Sequence, residues 1–308
     1  MRISCTPTLY YVATAFIAYS RTSMLTAAAT NVKAQPWIVP APVTPHVTLS
    51  EVKARTVIVG DIHGCLDEFK SLLIKCNYNP KDTTLILVGD LVNKGPYSAE
   101  VVKYARSLNP YCVRGNHDDA ALSHALGISK RPRDETYDYV DKFDSEDIDW
   151  LSALPYTISI PPLGAIVVHA GLLPNRPMDD QAAIDMVTMR NIVERSETEL
   201  VAISREDAGV PWASLWGRPC SSSSGGVGVG AGNGVSNGNT AALTATIKSP
   251  SVPHVIFGHD AKRGLQLYDS ATGLDTGCVY GKKLTALILP ERSIVQVEAQ
   301  EMYSEPQG

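Results

Sequence analysis

Short apolar runs separated by amphipathic stretches organise the chain from about residue 50 onward. Thr56 to Val59 and Thr83 to Val88 are β-branched or aliphatic almost without interruption, as in strands buried on both faces of a sheet. Leu66 to Cys76 and Ser98 to Ser107 place their apolar residues at helical spacing. Tyr111 to Val113 predicts a third strand, and Asp118 to Leu126 a helix with an acid at its positive end. Strand and helix alternate through this half, which predicts parallel pairing.

The rhythm then changes. Asp144 or Ser145 caps a helix that runs to Leu154, and strands follow at Tyr156 to Ile160 and Ala165 to Val168, separated by Pro161-Pro162-Leu163-Gly164. Val255 to Phe257 is a further strand, and Leu284 to Leu289 with Ile294 to Val297 forms a terminal hairpin. The Pro-rich stretch from Pro36 to Pro45 reads as an extended linker. The expected organisation is therefore a targeting segment and linker over 1–50, one folded domain over 51–300 and a tail over 301–308. Residues 221–239 are Gly/Ser-rich with no large side chain, and read as a flexible surface insertion.

With 308 residues, 44% of them hydrophobic, the chain can bury a full core. A net charge of −5 argues against a protein that grips a nucleic-acid duplex through a cationic surface. Cys5, Cys65, Cys76, Cys112, Cys220 and Cys278 show neither zinc-knuckle nor disulfide-framework spacing, so buried thiols are expected. The first 50 residues lack Asp and Glu, and Arg2 precedes an apolar run from Leu9 to Ala18 that is short for a membrane span. A secretory or vacuolar address, with a weak N-terminal membrane anchor as one form of it, is placed ahead of mitochondrial import and of a tail with no address.

The chemistry is concentrated where apolar strands end. GDIHG at 60–64, GDLVNKGP at 89–96 and RGNHD at 114–118 each follow a strand, and HAG at 169–171 and GHD at 258–260 repeat the placement. Ligand sites of open α/β sheets form at the carboxyl ends of strands, so these loops are expected to share one crevice. Asp61, His63, Asp90, Asn116, His169 and His259 make a mixed oxygen and imidazole set suited to two first-row divalent ions, Mn, Zn or Fe, with Asp90 able to bridge them. A lone His after a strand is ordinarily a core or capping residue, but the joint occurrence of five such motifs is not explained that way.

These motifs resemble those of the calcineurin-like metallophosphoesterases, within them the phosphoprotein phosphatase superfamily, over residues 56 to about 290. Asn93 and Lys94 stand where that superfamily has Asp and Arg, and Asp118 where it has Glu. These departures, with GHDAKRG at 258–264 and LDTGCVYGKKLTAL at 274–287, are similar to the ApaH-like branch, near bacterial diadenosine tetraphosphatase and fungal endopolyphosphatase. The resemblance implies an α/β fold with a layered β-sandwich core flanked by helices. It also implies one ion on Asp61, His63 and Asp90, a second on Asp90, Asn116, His169 and His259, and an ion-activated water as nucleophile.

His117 would protonate the leaving oxygen, with Asn93 or Asp118 orienting it. Lys94, Arg218 and Arg263 are the expected phosphate contacts, ahead of Arg190 and Lys262, whereas His254 at the start of a strand is expected to be structural. An uncharged Asn93 supports an imidazolium poorly, which favours a phosphate leaving group over an alkoxide. The expected substrate is a phosphorylated small molecule or polymer cleaved at a phosphoanhydride, in inorganic polyphosphate or nucleotides. A serine/threonine phosphoprotein phosphatase with the same metal site is the alternative.

Overall fold

The computed structural model describes residues 41–196, 199–217 and 252–306, so the expectations for the N-terminal targeting segment and for the 221–239 insertion lie outside the described residues. Among those described, no helix is long and apolar enough to cross a membrane. The chain enters through β1 (His46–Thr48), ahead of the expected domain edge, and alternates through β2 (Arg55–Val59), α1 (Leu66–Lys75), β3 (Thr83–Leu87), α2 (Ser98–Leu108), β4 (Tyr111–Cys112) and α3 (Asn116–Ala125). Then come α4 (Ser145–Ala153), β5 (Thr157–Ile160), β6 (Ala165–Val168) and α5 (Ala183–Thr188). Next are β7 (Asn191–Ser196), β8 (Glu199–Ile203), β9 (Val210–Pro211) and β10 (His254–Phe257), and the chain closes with β11 (Gln266–Leu267), β12 (Ala271–Gly273), β13 (Lys283–Leu289) and β14 (Ser293–Glu298).

β2, β3 and β4 pair in parallel, as their alternation with helices predicts. The sheet is nevertheless mixed, because β13 lies antiparallel to β2 and carries β14 with it as a hairpin. A second sheet runs β1-β5-β6-β10-β12-β11, and a small third sheet runs β8-β7-β9. β1 belongs to the second sheet through parallel pairing with β5, so the linker ends earlier than its composition suggests.

The two-residue period of a strand explains the layering. Ile58, Ile86 and Leu287 face the second sheet and meet Ile158, Val167 and Ile256 there. Val57, Val59, Leu85 and Leu87 point the other way, under Phe69 and Leu72 of α1 and Val101, Val102 and Ala105 of α2. The outer face of the second sheet is covered by Met186, Met189 and Trp212, from α5 and the segments around the small sheet. α4 begins where expected, since Asp147 N donates to Asp144 Oδ1 at 2.8 Å and Asp144 N donates to Asp147 Oδ2 at 3.1 Å, a reciprocal cap. Cys65, Cys76, Cys112 and Cys278 are buried free thiols, as expected.

Phe69 is fully buried between α1 and the first sheet, while Ile74 of the same helix is 78% exposed. Phe69→Ala should therefore lower unfolding free energy by about 3–5 kcal/mol in a denaturant titration. Ile74→Ala should stay within about 0.5 kcal/mol of the parent, and equal losses would contradict this layering.

Candidate metal centre

The loops after β2 and β3 are stitched together by their backbones. Ile62 N and His63 N both donate to Asp90 O, at 3.1 and 2.9 Å, and Gly64 N donates to Leu91 O at 2.9 Å. The carboxylate of Asp118, fully buried, accepts Asp90 N, Leu91 N and Gly115 N, each at 2.9 Å, and so ties in the loop after β4. This geometry forces unusual conformations. His63, Asp90 and His259 have φ of 46°, 49° and 68°, in the left-handed region that costs a non-glycine residue about 1–3 kcal/mol. Two glycines make room for carboxylates: a Cβ on Gly115 would lie 2.2 Å from Asp90 Oδ1, and one on Gly258 would lie 2.0 Å from Asp61 Oδ1.

Asp90 sits at the junction of two clusters, His63–Asp90–His117 and Asp90–His169–His259, whose candidate ligand atoms lie within 4.8 Å of one another in each. Asp90 Oδ2 is 3.4 Å from His63 Nε2, and Oδ1 is 3.4 Å from His169 Nε2. Asn116 Oδ1 lies 3.2 Å from the same His169 nitrogen. His63 Nδ1 faces Val92 O at 2.9 Å and His169 Nδ1 faces Val88 O at 2.8 Å. A ring nitrogen against a carbonyl carries the hydrogen, so both imidazoles turn Nε2 inward, the backing that metal-binding histidines use. Asp61 accepts His259 N through both oxygens, at 3.2 and 3.0 Å.

Burial, the like charge of Asp275 and that of Asp90 push the Asp61 carboxyl well above the usual carboxylate range. Burial also raises Asp275, to about 6. Burial acts against Asp90 and His169 too, yet their mutual attraction wins: Asp90 is held well below the carboxylate range and His169 rises to about 10. Three buried carboxylates with imidazoles oriented to donate lone pairs form a donor set that divalent cations would neutralise, and the residues fit a pair of such ions.

All six expected ligands are thus brought together, and His117 joins them. α3 starts at Asn116, two residues before the expected start, so Asn116 and His117 occupy its first turn. His117 N donates to Asp90 Oδ1 at 2.9 Å, and its ring meets that of His63 edge to face at 4.9 Å. Its Nδ1 is buried without a hydrogen-bond partner. Asp118 therefore does not orient His117, contrary to one expectation, because its oxygens are taken by three backbone N–H groups. Asn93 does not orient it either, since its Oδ1 accepts Lys94 N at 2.7 Å.

Lys94 reaches the centre, with Nζ 3.2 Å from His63 Nε2. The guanidinium of Arg263, an expected phosphate contact, is shared between Asp260 Oδ2 at 2.5 Å and Asn191 Oδ1 at 2.7 Å. Arg218 lies outside the described residues. Arg190 is the better-placed arginine, donating to His259 O at 3.1 Å and pressing its charge on His117 and His259. Lys262 is exposed and pairs with Glu206 at 3.1 Å. His254 bonds Thr272 Oγ1 at 2.8 Å. Asp275 was missed as a member of the centre, although Leu274-Asp275-Thr276-Gly277 follows β12 just as the other motifs follow their strands.

A profile of the calcineurin-like phosphoesterases matches residues 54–263. Symmetrical bis(5'-nucleosyl)-tetraphosphatases of Yersinia pestis (strain Pestoides F) and Yersinia pseudotuberculosis (serotype O:1b, strain IP 31758) are 43% identical over 123 residues. The match takes in 39% of this chain and 43% of each of those proteins, so less than half their length is spanned. A crystal structure described as that of a candidate diadenosine tetraphosphatase is 36% identical with a TM-score of 0.67, covering 83% of this chain and 98% of that one.

In the ion-free protein His169 carries a proton up to about pH 10, and an ion can use its nitrogen only after that proton leaves. Loading should therefore release one or more protons at pH 7.5, and affinity should climb with pH by about tenfold per unit for each proton displaced. Calorimetric Mn²⁺ titrations in buffers of different ionisation enthalpy measure this directly. Buffer-independent heats would contradict the Asp90–His169 pairing.

Proposed function

Because this chain belongs to the calcineurin-like phosphoesterase family, whose members carry a binuclear divalent metal site, we propose that it hydrolyses phosphoanhydride bonds of nucleotide polyphosphates, with dinucleoside tetraphosphates its best substrates. The names of the Yersinia relatives and of the solved structure support the substrate class. We assign one ion to Asp61, His63 and Asp90 and the other to Asp90, Asn116, His169 and His259. The oxygen and imidazole donors suit Mn, Zn or Fe. When bound, such ions lower the pKa of water and neutralise charge on the phosphates.

The observation that carries the reading is the state of His117. Burial lowers its pKa to about 4, Asp90 opposing and Lys94 and Arg190 reinforcing the shift, and no carboxylate backs its Nδ1. A neutral imidazole keeps only its ring N–H and is a poor acid toward a basic alkoxide. A departing phosphate needs little such help, being a far weaker base. Lys94 meets the phosphate chain as a point charge, and Arg190 adds positive potential from the His259 side. Inorganic polyphosphate presents the same bond and remains within the proposal. Phosphoserine hydrolysis asks of His117 the acid that its surroundings withhold. The acid-free N-terminal 50 residues support a secretory or vacuolar address.

In the phosphoprotein phosphatases that the motifs resemble, an aspartate at the position of Asn93 orients and charges the histidine that matches His117, whereas Asn93 spends its Oδ1 on Lys94 N. Asn93→Asp should raise kcat/KM on a phosphoserine peptide relative to diadenosine tetraphosphate by about tenfold or more at equal metal occupancy. A wild-type enzyme that prefers a phosphopeptide, with the ratio unmoved in Asn93→Asp, would contradict the anhydride assignment.

A further inference from the structure

The C-terminal tail, expected to lie outside the domain, packs onto the rim of the metal centre. Ala299 N donates to Lys282 O at 2.8 Å, and Tyr303 N and Ser304 N share Val279 O at 3.0 and 3.1 Å. Tyr280 pairs with Met302 in an isolated antiparallel bridge. Beneath them the carboxylate of Glu68, 2% exposed, accepts Gln300 N and the Tyr303 hydroxyl, each at 2.9 Å. On the inner side, Gly277 N is held by Asp275 Oδ1 at 3.0 Å. The segment from 277 to 282 is thus fixed between the tail and the centre.

What this segment presents is the ring of Tyr280, 5.3 Å from Lys94 Nζ. Lys94 extends from a backbone at φ 68° with its Nζ beside His63 Nε2, and the carboxylate of Asp275 acts on it through space without hydrogen bonding to it. An aromatic face attracts an ammonium through its quadrupole. Unlike an aspartate, it holds the cation without a counter-charge that a polyanion would have to displace. Gly277 starts this turn at φ 69°, in the left-handed region that favours glycine.

We propose that Tyr280 is a positioning residue for the substrate: its ring, braced by the C-terminal tail, stations the Lys94 ammonium beside His63, where the outer phosphates of a polyphosphate chain meet the centre. The inference rests on the nucleotide-polyphosphate reading. Tyr280 touches no reacting atom and acts through Lys94 alone.

The test uses the metal-loaded full chain, with tripolyphosphate binding read by calorimetry and diadenosine tetraphosphate turnover read in parallel. Tyr280→Leu should raise both the tripolyphosphate Kd and the KM by about 3- to 10-fold, with kcat within about twofold. Tyr280→Phe, which keeps the ring face, should bring both back to wild-type values. In a Lys94→Met background, Tyr280→Leu should add nothing, because the charge it stations is gone. Wild-type Kd and KM in Tyr280→Leu, or independent multiplying effects in the double variant, would overturn the inference. A wild-type chain that neither binds tripolyphosphate nor cleaves the dinucleotide overturns the parent reading, and this one with it.

Discussion

The carboxylate of Asp118 accepts three backbone N–H groups from two different loops, and the metal centre is arranged around that contact. Two of the donors flank the Cα of Asp90, so the residue shared by both ligand clusters is held by its backbone. The third is Gly115, at the start of α3, where the positive end of the helix favours a negative charge. The arrangement is costly in isolation. Burial, and then the charge of Asp90 close by, raise the Asp118 carboxyl to about 7. It holds because each donor would otherwise be a buried N–H without a partner.

Left-handed backbone at His63, Asp90 and His259 persists only where surrounding contacts over-determine it. The Asp90 carbonyl supplies such contacts to Ile62 and His63, and Asp61 supplies them to His259 through its backbone N–H. His63 is thereby tied to the Asp90 backbone, His259 to the Asp61 carboxylate and Gly258 N to His169 O, and with Asp118 these contacts couple the loops after β2, β3, β4, β6 and β10 into one unit. Asp61, Asp90 and Asp275 are gathered in the interior at mutual electrostatic expense, with His169 the one strongly cationic imidazole among them. Such a cluster is pre-organised for cations, and their binding would stabilise the fold as well as equip the site.

Much of this was legible in the sequence because its causes are local. Uninterrupted apolar runs at 56–59 and 83–88 announced β2 and β3, and Gly-Asp or Gly-His pairs after strands announced the ligands, since strand ends must turn and glycine permits it. The rest depends on distant partners. Asp118 invited a catalytic role because it neighbours His117 in sequence, but α3 begins at Asn116 and turns it toward the backbone of Asp90. Arg263 lies beside a motif, yet Asn191 of β7, far along the chain, takes half of its guanidinium.

β7 and β8 were not anticipated, because charged Glu194, Arg195 and Glu199 dilute their alternation and half of their faces are exposed. The role of the tail was hidden for the same reason. Nothing in Gln300 or Tyr303 alone points to Glu68, more than two hundred residues earlier. The account stands or falls on Asp90 being shared between two ions. Anomalous diffraction from crystals soaked in Mn²⁺ measures that directly. Two peaks should flank the Asp90 carboxylate, one beside His63 and one beside His169 and His259; a single peak, or a pair of which only one touches Asp90, would contradict it.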